Sequence, residues 1–296
     1  MRTLLLLLAI GILLQFSCST DLTVDLPPRQ QDLAVYAFID AGDTISSLFA
    51  NRTAGLKEDL NLNQALLSPP ATVTLWDGSD LITSFAPEDE SPIYLGTHLP
   101  FGTPGQSYLM RAEHPDFGTI EATSTLPTPV AILGVKAIHD FTSRDNELIA
   151  HGIEVTFDDP ADVTNLYAFS YFDQEFNNTD IFSVDMQLVD IITPTMPDVE
   201  SIKNSRNVAL TDEDFNGQTV TLRFQILNGN FQGPSDQAYL KVRYIDAPEY
   251  FHVQSLYSPV EIELEPIIDP SPTYTNFNQG FGVFSLSTTA IYDVEE

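Results

Sequence analysis

The chain has 296 residues, of which 43% are hydrophobic and 10% aromatic; these are globular values, and they exclude a disordered acidic chain. Its 12 Lys and Arg stand against 42 Asp and Glu, and a net charge of −30 repels phosphate, which excludes a nucleic-acid partner. A single cysteine allows no internal disulfide, so stability has to come from burial in a large core, which this length permits.

The chain opens on a processing segment. Met1 and Arg2 supply positive charge, and Leu4 to Leu14 form an unbroken apolar run of eleven residues. That is too short to span a bilayer, which takes about 20 residues as a helix. A charged start, a short apolar run and then small residues is the secretory pattern. Cys18, the sole thiol, follows directly on Gln15-Phe16-Ser17. The stretch resembles the lipobox of bacterial lipoproteins, in which the cysteine is lipidated and the chain is cut before it; Phe16 departs from the preferred Leu, while Ser17 conforms. Residues 1–17 are therefore read as a cleaved signal peptide, Cys18 as the lipidation site, and residues 18–31, with Pro27-Pro28, as the lipidated end and an extended tether. Cleavage leaves 11 basic residues against 42 acidic ones, a charge of −31. Anionic head groups would repel that body, so the membrane is held through acyl chains.

From residue 32 onward the dominant signal is period-two alternation. In ATVTLWD, Val73 and Leu75 face one way; in HGIEVTFDDP, Ile153, Val155 and Phe157 do. QTVTLRFQIL sets Val220, Leu222, Phe224 and Ile226 inward, AYLKVRYI sets Leu240, Val242 and Tyr244, and PVEIELEP sets Val260, Ile262 and Leu264. Strands with one dry and one wet face belong to antiparallel sheets, and Pro, Gly, Asn and Asp between them imply sandwiches. One short helix is expected in DAPEYFHVQSLYSP, with Asp246 as N-cap, Pro248 in the first turn and Pro259 as a stop. Pro127 and Pro129 mark a break. The expected fold is all-β: two antiparallel β-sandwich domains, immunoglobulin/fibronectin-like or carboxypeptidase-regulatory-like, over residues 32–128 and 130–296, with a minor short helix.

Chemistry is sparse. Asp212, Asp214, Asn216 and Gly217 match positions 1, 3, 5 and 6 of an EF-hand loop, but position 12 is Arg223 where a bidentate Glu is required. Asp212, Asp214 and Asn216 remain a weak calcium candidate beside the plainer reading of an acidic hairpin turn. His98, His114, His139, His151 and His252 are scattered, with no HExxH, so no metal is assigned from sequence. No GxSxG elbow precedes a helix, and Asp158-Asp159 reads as a strand end turning at Pro160. Gly102 and Gly105 around Pro104 fit a turn, and Gly280 and Gly282 fit a bulge or close backbone approach. No catalytic residue and no cofactor are expected.

The ordered set LAVYAFID, PATVTLWDG, GTPGQSYLMRAEHPDFGTIEATSTLPTPV, VTFDDPADVTNLYAFSY, TDEDFNGQTVTLRF and TNFNQGFGVFSLSTTAIYD resembles the domain-of-unknown-function 4249 family of Bacteroidota lipoproteins, over nearly the whole mature chain. The resemblance implies an outer-membrane, lipid-anchored protein, facing the periplasm or the cell surface, encoded near TonB-dependent transporters. It carries no known activity and no functional residue beyond Cys18. Three roles are expected in this order: an interaction module on such a transporter or another outer-membrane protein, a glycan- or peptide-binding lipoprotein, and a hydrolase.

Overall fold

A computed structural model describes residues 31–53, 66–89, 91–143, 147–174, 181–193, 201–203, 208–213, 215–227, 238–257 and 274–295. The signal segment, Cys18, the tether, Asp214 and the expected strand at 259–266 lie outside the described residues.

Alternation does what it promised. Val73, Leu75, Ile153, Val155, Phe157, Val220, Leu222, Phe224, Leu240 and Val242 are all sealed from solvent. The first seven strands are β1 (Leu33–Asp40), β2 (Ile45–Arg52), β3 (Thr72–Asp77), β4 (Asp80–Pro87), β5 (Ile93–Thr97), β6 (Ser107–His114) and β7 (Gly118–Thr125). Then come β8 (Ile132–Thr142), β9 (Leu148–Asp158), β10 (Leu166–Gln174), β11 (Ile181–Val184), β12 (Met186–Ile192), β13 (Ser201–Lys203), β14 (Val208–Thr211), β15 (Thr219–Ile226) and β16 (Tyr239–Ile245). A helix, α1 (Ala247–Tyr257), and a long last strand, β17 (Phe281–Asp293), complete the all-β fold.

Among the described residues, one sheet runs β13-β14-β10-β16-β17-β1-β2-β5-β4-β3-β6-β7, with β11 beside β10, and a second runs β12-β15-β9-β8. The named strand pairs are antiparallel with one exception: β1 and β17 run parallel, Tyr36 opposite Val283 and Phe38 opposite Ser285. Two large apolar clusters form, and a small third, of Ala168, Ala209, Ile245 and Tyr250, lies against α1. The first gathers side chains from Leu33 to Leu126, and the second from Val130 to Tyr244. β17 serves both, because Phe284 and Leu286 sit in the first while Ala290 and Tyr292 pack on the second.

Local signals place α1 as expected. The Asp246 carboxylate accepts the backbone N–H of Glu249 at 3.2 Å, the N-cap bond that satisfies an otherwise orphaned donor. The turn at residues 212–218 departs from expectation. It carries the chain from β14 in one sheet to β15 in the other, so it is a crossing between sheets rather than a hairpin. Its two successive turns are closed by Phe215 N–H to Asp212 C=O at 2.8 Å and Gln218 N–H to Phe215 C=O at 3.0 Å.

The outer edge at β7 is covered by Asn276 and Asn278, through side chains and backbone, rather than by another strand. Asn278 accepts the Glu121 N–H at 2.9 Å and donates its own N–H to the Glu121 carbonyl at 2.9 Å. Asn276 clasps Phe284, accepting its N–H at 2.9 Å and donating to its carbonyl at 2.8 Å, and its amide also reaches the Thr123 carbonyl at 3.4 Å. Exchanging Asn276 for alanine leaves those backbone groups without their partner. It is expected to cost about 1–3 kcal/mol, read as a lower urea midpoint at unchanged slope.

Candidate interaction face

β1 and β2 carry large apolar side chains on their outward face as well as on the face turned to the core. In LAVYAFID, Val35, Ala37 and Ile39 point into the first cluster, leaving Tyr36 and Phe38 on the outward side. In β2, Ser46, Leu48 and Ala50 are buried, and Ile45 and Phe49 face outward. Register then lines these residues up, with Phe49 opposite Tyr36 on one side and Ile93 on the other, and Leu95 opposite Ala86 and Ser47. The outcome is a patch in which Phe38, Ile45, Ile93 and Leu95 are 39–62% exposed. Neighbouring large apolar side chains this exposed make the patch a candidate contact surface.

The same outward side is dry at its other end, where α1 covers β17. Ser285 and Ser287 lie under the helix, fully buried, and are satisfied by side chains. Glu249 accepts Ser285 Oγ at 3.0 Å and two bonds from Arg243, Nη1 at 2.8 Å and Nη2 at 2.9 Å. Arg243 Nη2 also reaches Ser287 Oγ at 3.3 Å, and Ser124 Oγ donates to Asp246. This forked, desolvated ion pair with its serine partners pins α1 in place. At the open edge of the helix His252 meets Tyr36 and Phe38, with ring centroids 5.7 and 5.6 Å apart. Burial lowers the His252 pKa and favours the neutral ring, whose Nδ1 is buried without a hydrogen-bond partner. Phe251, half-exposed, packs on Tyr274 at 5.6 Å. The helix thus covers part of the outward surface and stops at an aromatic border.

The residues singled out from sequence fall elsewhere. Asp212 is fully buried while Asn216 is exposed. Asp212 Oδ2 accepts the Asn165 backbone N–H at 2.6 Å, and its Oδ1 has no partner. Asp159 accepts the Tyr167 hydroxyl, the Gly217 N–H at 3.1 Å and the Asn165 side-chain amide at 3.4 Å. Burial, with the neighbouring Asp159 charge adding to it, pushes Asp212 up to about 6, and burial raises Asp159 as well. Among the described residues no three acidic, histidine or cysteine side chains are placed to hold one metal ion. The histidines mostly serve structure: His98 binds Ser46 Oγ at 2.8 Å, and His114 binds the Pro69 carbonyl at 2.8 Å. His139 and His151 stand twelve positions apart, so the sequence hides that strand pairing puts them side by side. No described helix is long and apolar enough to cross a membrane.

A family model described as domain of unknown function (DUF4249) matches residues 19–292. No curated protein matches the chain. Among solved structures, one containing manganese lipoxygenase of Gaeumannomyces graminis and part of zonadhesin of Komagataella pastoris aligns at 11% identity, covering 88% of this chain and 93% of that one, with a TM-score of 0.20. A serine-rich repeat adhesion glycoprotein from Streptococcus agalactiae aligns at 9% identity, covering 74% and 92%, with a TM-score of 0.17. Scores this low carry no argument about fold or role.

Proposed function

The chain belongs to the domain of unknown function (DUF4249) family, and from that premise we propose that it is a non-enzymatic interaction module, anchored in the outer membrane through Cys18 and docked on a TonB-dependent transporter. The observation that carries the reading is the exposed apolar face of β1, β2 and β5, which α1 leaves open. Lipid at Cys18 and the Pro-rich tether would hold the body beside its membrane partner, raising the local concentration and allowing a modest face to suffice.

The test is a mild-detergent pull-down of the lipidated protein from native outer membranes, with companions identified by mass spectrometry. A transporter in roughly equal amount, resistant to a salt wash, is the expected result. Leu95→Glu adds charge at the centre of the face on an already exposed residue, so stability should move by no more than about 0.5 kcal/mol while the companion is lost. Recovery of the protein alone, or a companion indifferent to Leu95→Glu, overturns the reading.

One observation favours a second reading, capture of glycan or peptide. Phe38, Phe251 and Tyr274 border the helix edge above an unpartnered His252 nitrogen, and such rings stack on sugars. Oligosaccharide and peptide screens against wild type and Phe251→Ala would separate the two.

A further inference from the structure

We propose that His139 and His151 form a two-nitrogen site for a borderline divalent transition-metal ion, such as zinc, nickel or copper(II). The two residues are direct cross-strand partners on β8 and β9. Their Nδ1 atoms lie 3.0 Å apart, with rings at 87° and centroids 5.2 Å from each other. The rings therefore meet edge to face, and both Nδ1 atoms turn toward one point. Two nitrogens at metal–ligand distances of about 2.0–2.1 Å in tetrahedral to octahedral geometry stand roughly 2.8–3.4 Å apart, so the observed spacing is that of two ligands on one ion.

Without metal, one imidazole carries its proton on Nδ1 and donates it to the other. An ion takes that proton's place. The donating ring gives up its Nδ1 proton and carries one on Nε2 instead, so both rings stay neutral and both Nδ1 lone pairs bind. Rigid strands hold the pair, and little side-chain freedom is lost on binding. His139 is exposed, so the remaining coordination positions face solvent. The chain's net charge of −30 favours cation approach, and nitrogen donors exclude calcium and magnesium.

The experiment uses the mature chain without a histidine tag, titrated with zinc or copper(II) alone against a competing chelator, with electron paramagnetic resonance of the copper form. We expect one tight equivalent with two nitrogen ligands. Even an outer-shell partner is worth about 10–100-fold in affinity, so His139→Ala and His151→Ala should each weaken binding by at least about tenfold. The resonance spectrum of the wild type reads the donor atoms independently of how either variant folds. An oxygen-only spectrum, as the acidic surface would give, or undiminished affinity in either folded variant, overturns the proposal.

Discussion

Replacing Gly282 by alanine should unfold the protein or bring it close to unfolding. This residue has φ of +116°, and a Cβ built there would overlap the carbonyl oxygen of Val35 on the neighbouring parallel strand. A backbone conformation of that kind costs a side chain about 1–3 kcal/mol on its own. The obstacle here is main chain inside a sheet, which cannot swing aside as a flexible side chain would. A total of about 4 kcal/mol or more is expected, a large share of a typical domain's stability. Gly118 supplies the control, since it also has positive φ, +78°, yet a Cβ there meets nothing within 4 Å. Gly118→Ala should lose only about 1–2 kcal/mol, from left-handed backbone alone. Urea denaturation of both variants, followed by circular dichroism, decides. Equal losses would mean that the β1–β17 approach is slack.

The second large effect is on pH. Burial pushes Asp212 and Asp246 from the ordinary 3.8 up to about 6. Each therefore binds its proton more tightly folded than unfolded. The stability this gives is complete below about pH 4 and is lost as pH rises through 6. At about 1.4 kcal/mol per unit, each carboxyl withdraws roughly 2–3 kcal/mol between those limits. Glu154 works in the opposite direction. Burial alone would raise it, but hydrogen bonds and charge from Lys136 and Arg223 outweigh burial and hold it below 4.5, so its contribution is present above that value and fails on acidification. The melting temperature should therefore peak near pH 5 and fall toward 7.5. Asp212→Asn should stabilise by about 1–2 kcal/mol at pH 7.5 and change little at pH 4, because the wild-type carboxyl is already neutral there. Calorimetry across that range gives the answer, and an Asp212→Asn curve parallel to wild type would remove Asp212 as a source of the slope.

Strands with one dry face were legible because each residue's fate depends on its immediate neighbours. Ile153, Val155 and Phe157 needed only their own spacing to be read as core. Glu154 alternates with them toward the wet face, yet it is buried, because Lys136 and Arg223 arrive on β8 and β15 to neutralise it. Helix α1 was legible through its cap and prolines rather than through a stripe. It covers serines on β17, so its inward side carries Glu249 and His252 beside Tyr250 and Val253, and no clean apolar stripe results. The apolar face left a readable signal in the outward Tyr36 and Phe38 of LAVYAFID, where simple alternation would place polar residues. Pairings between distant segments left none: β1 with β17, Asp159 beside Asp212 and His139 against His151 each depend on register that no local pattern encodes.

The parallel partnership of β1 and β17 also sets an order of events. Synthesis delivers β17 some 240 residues after β1, so one side of β1 has no mate until that strand has been made. Neither of the two large apolar clusters closes before then, because each draws on side chains of that strand. A nascent chain accordingly carries an open, hydrophobic strand edge throughout its emergence, the state most exposed to association with other chains. Products cut short before residue 281 should be degraded as wholly unfolded chains, with no half-protein surviving.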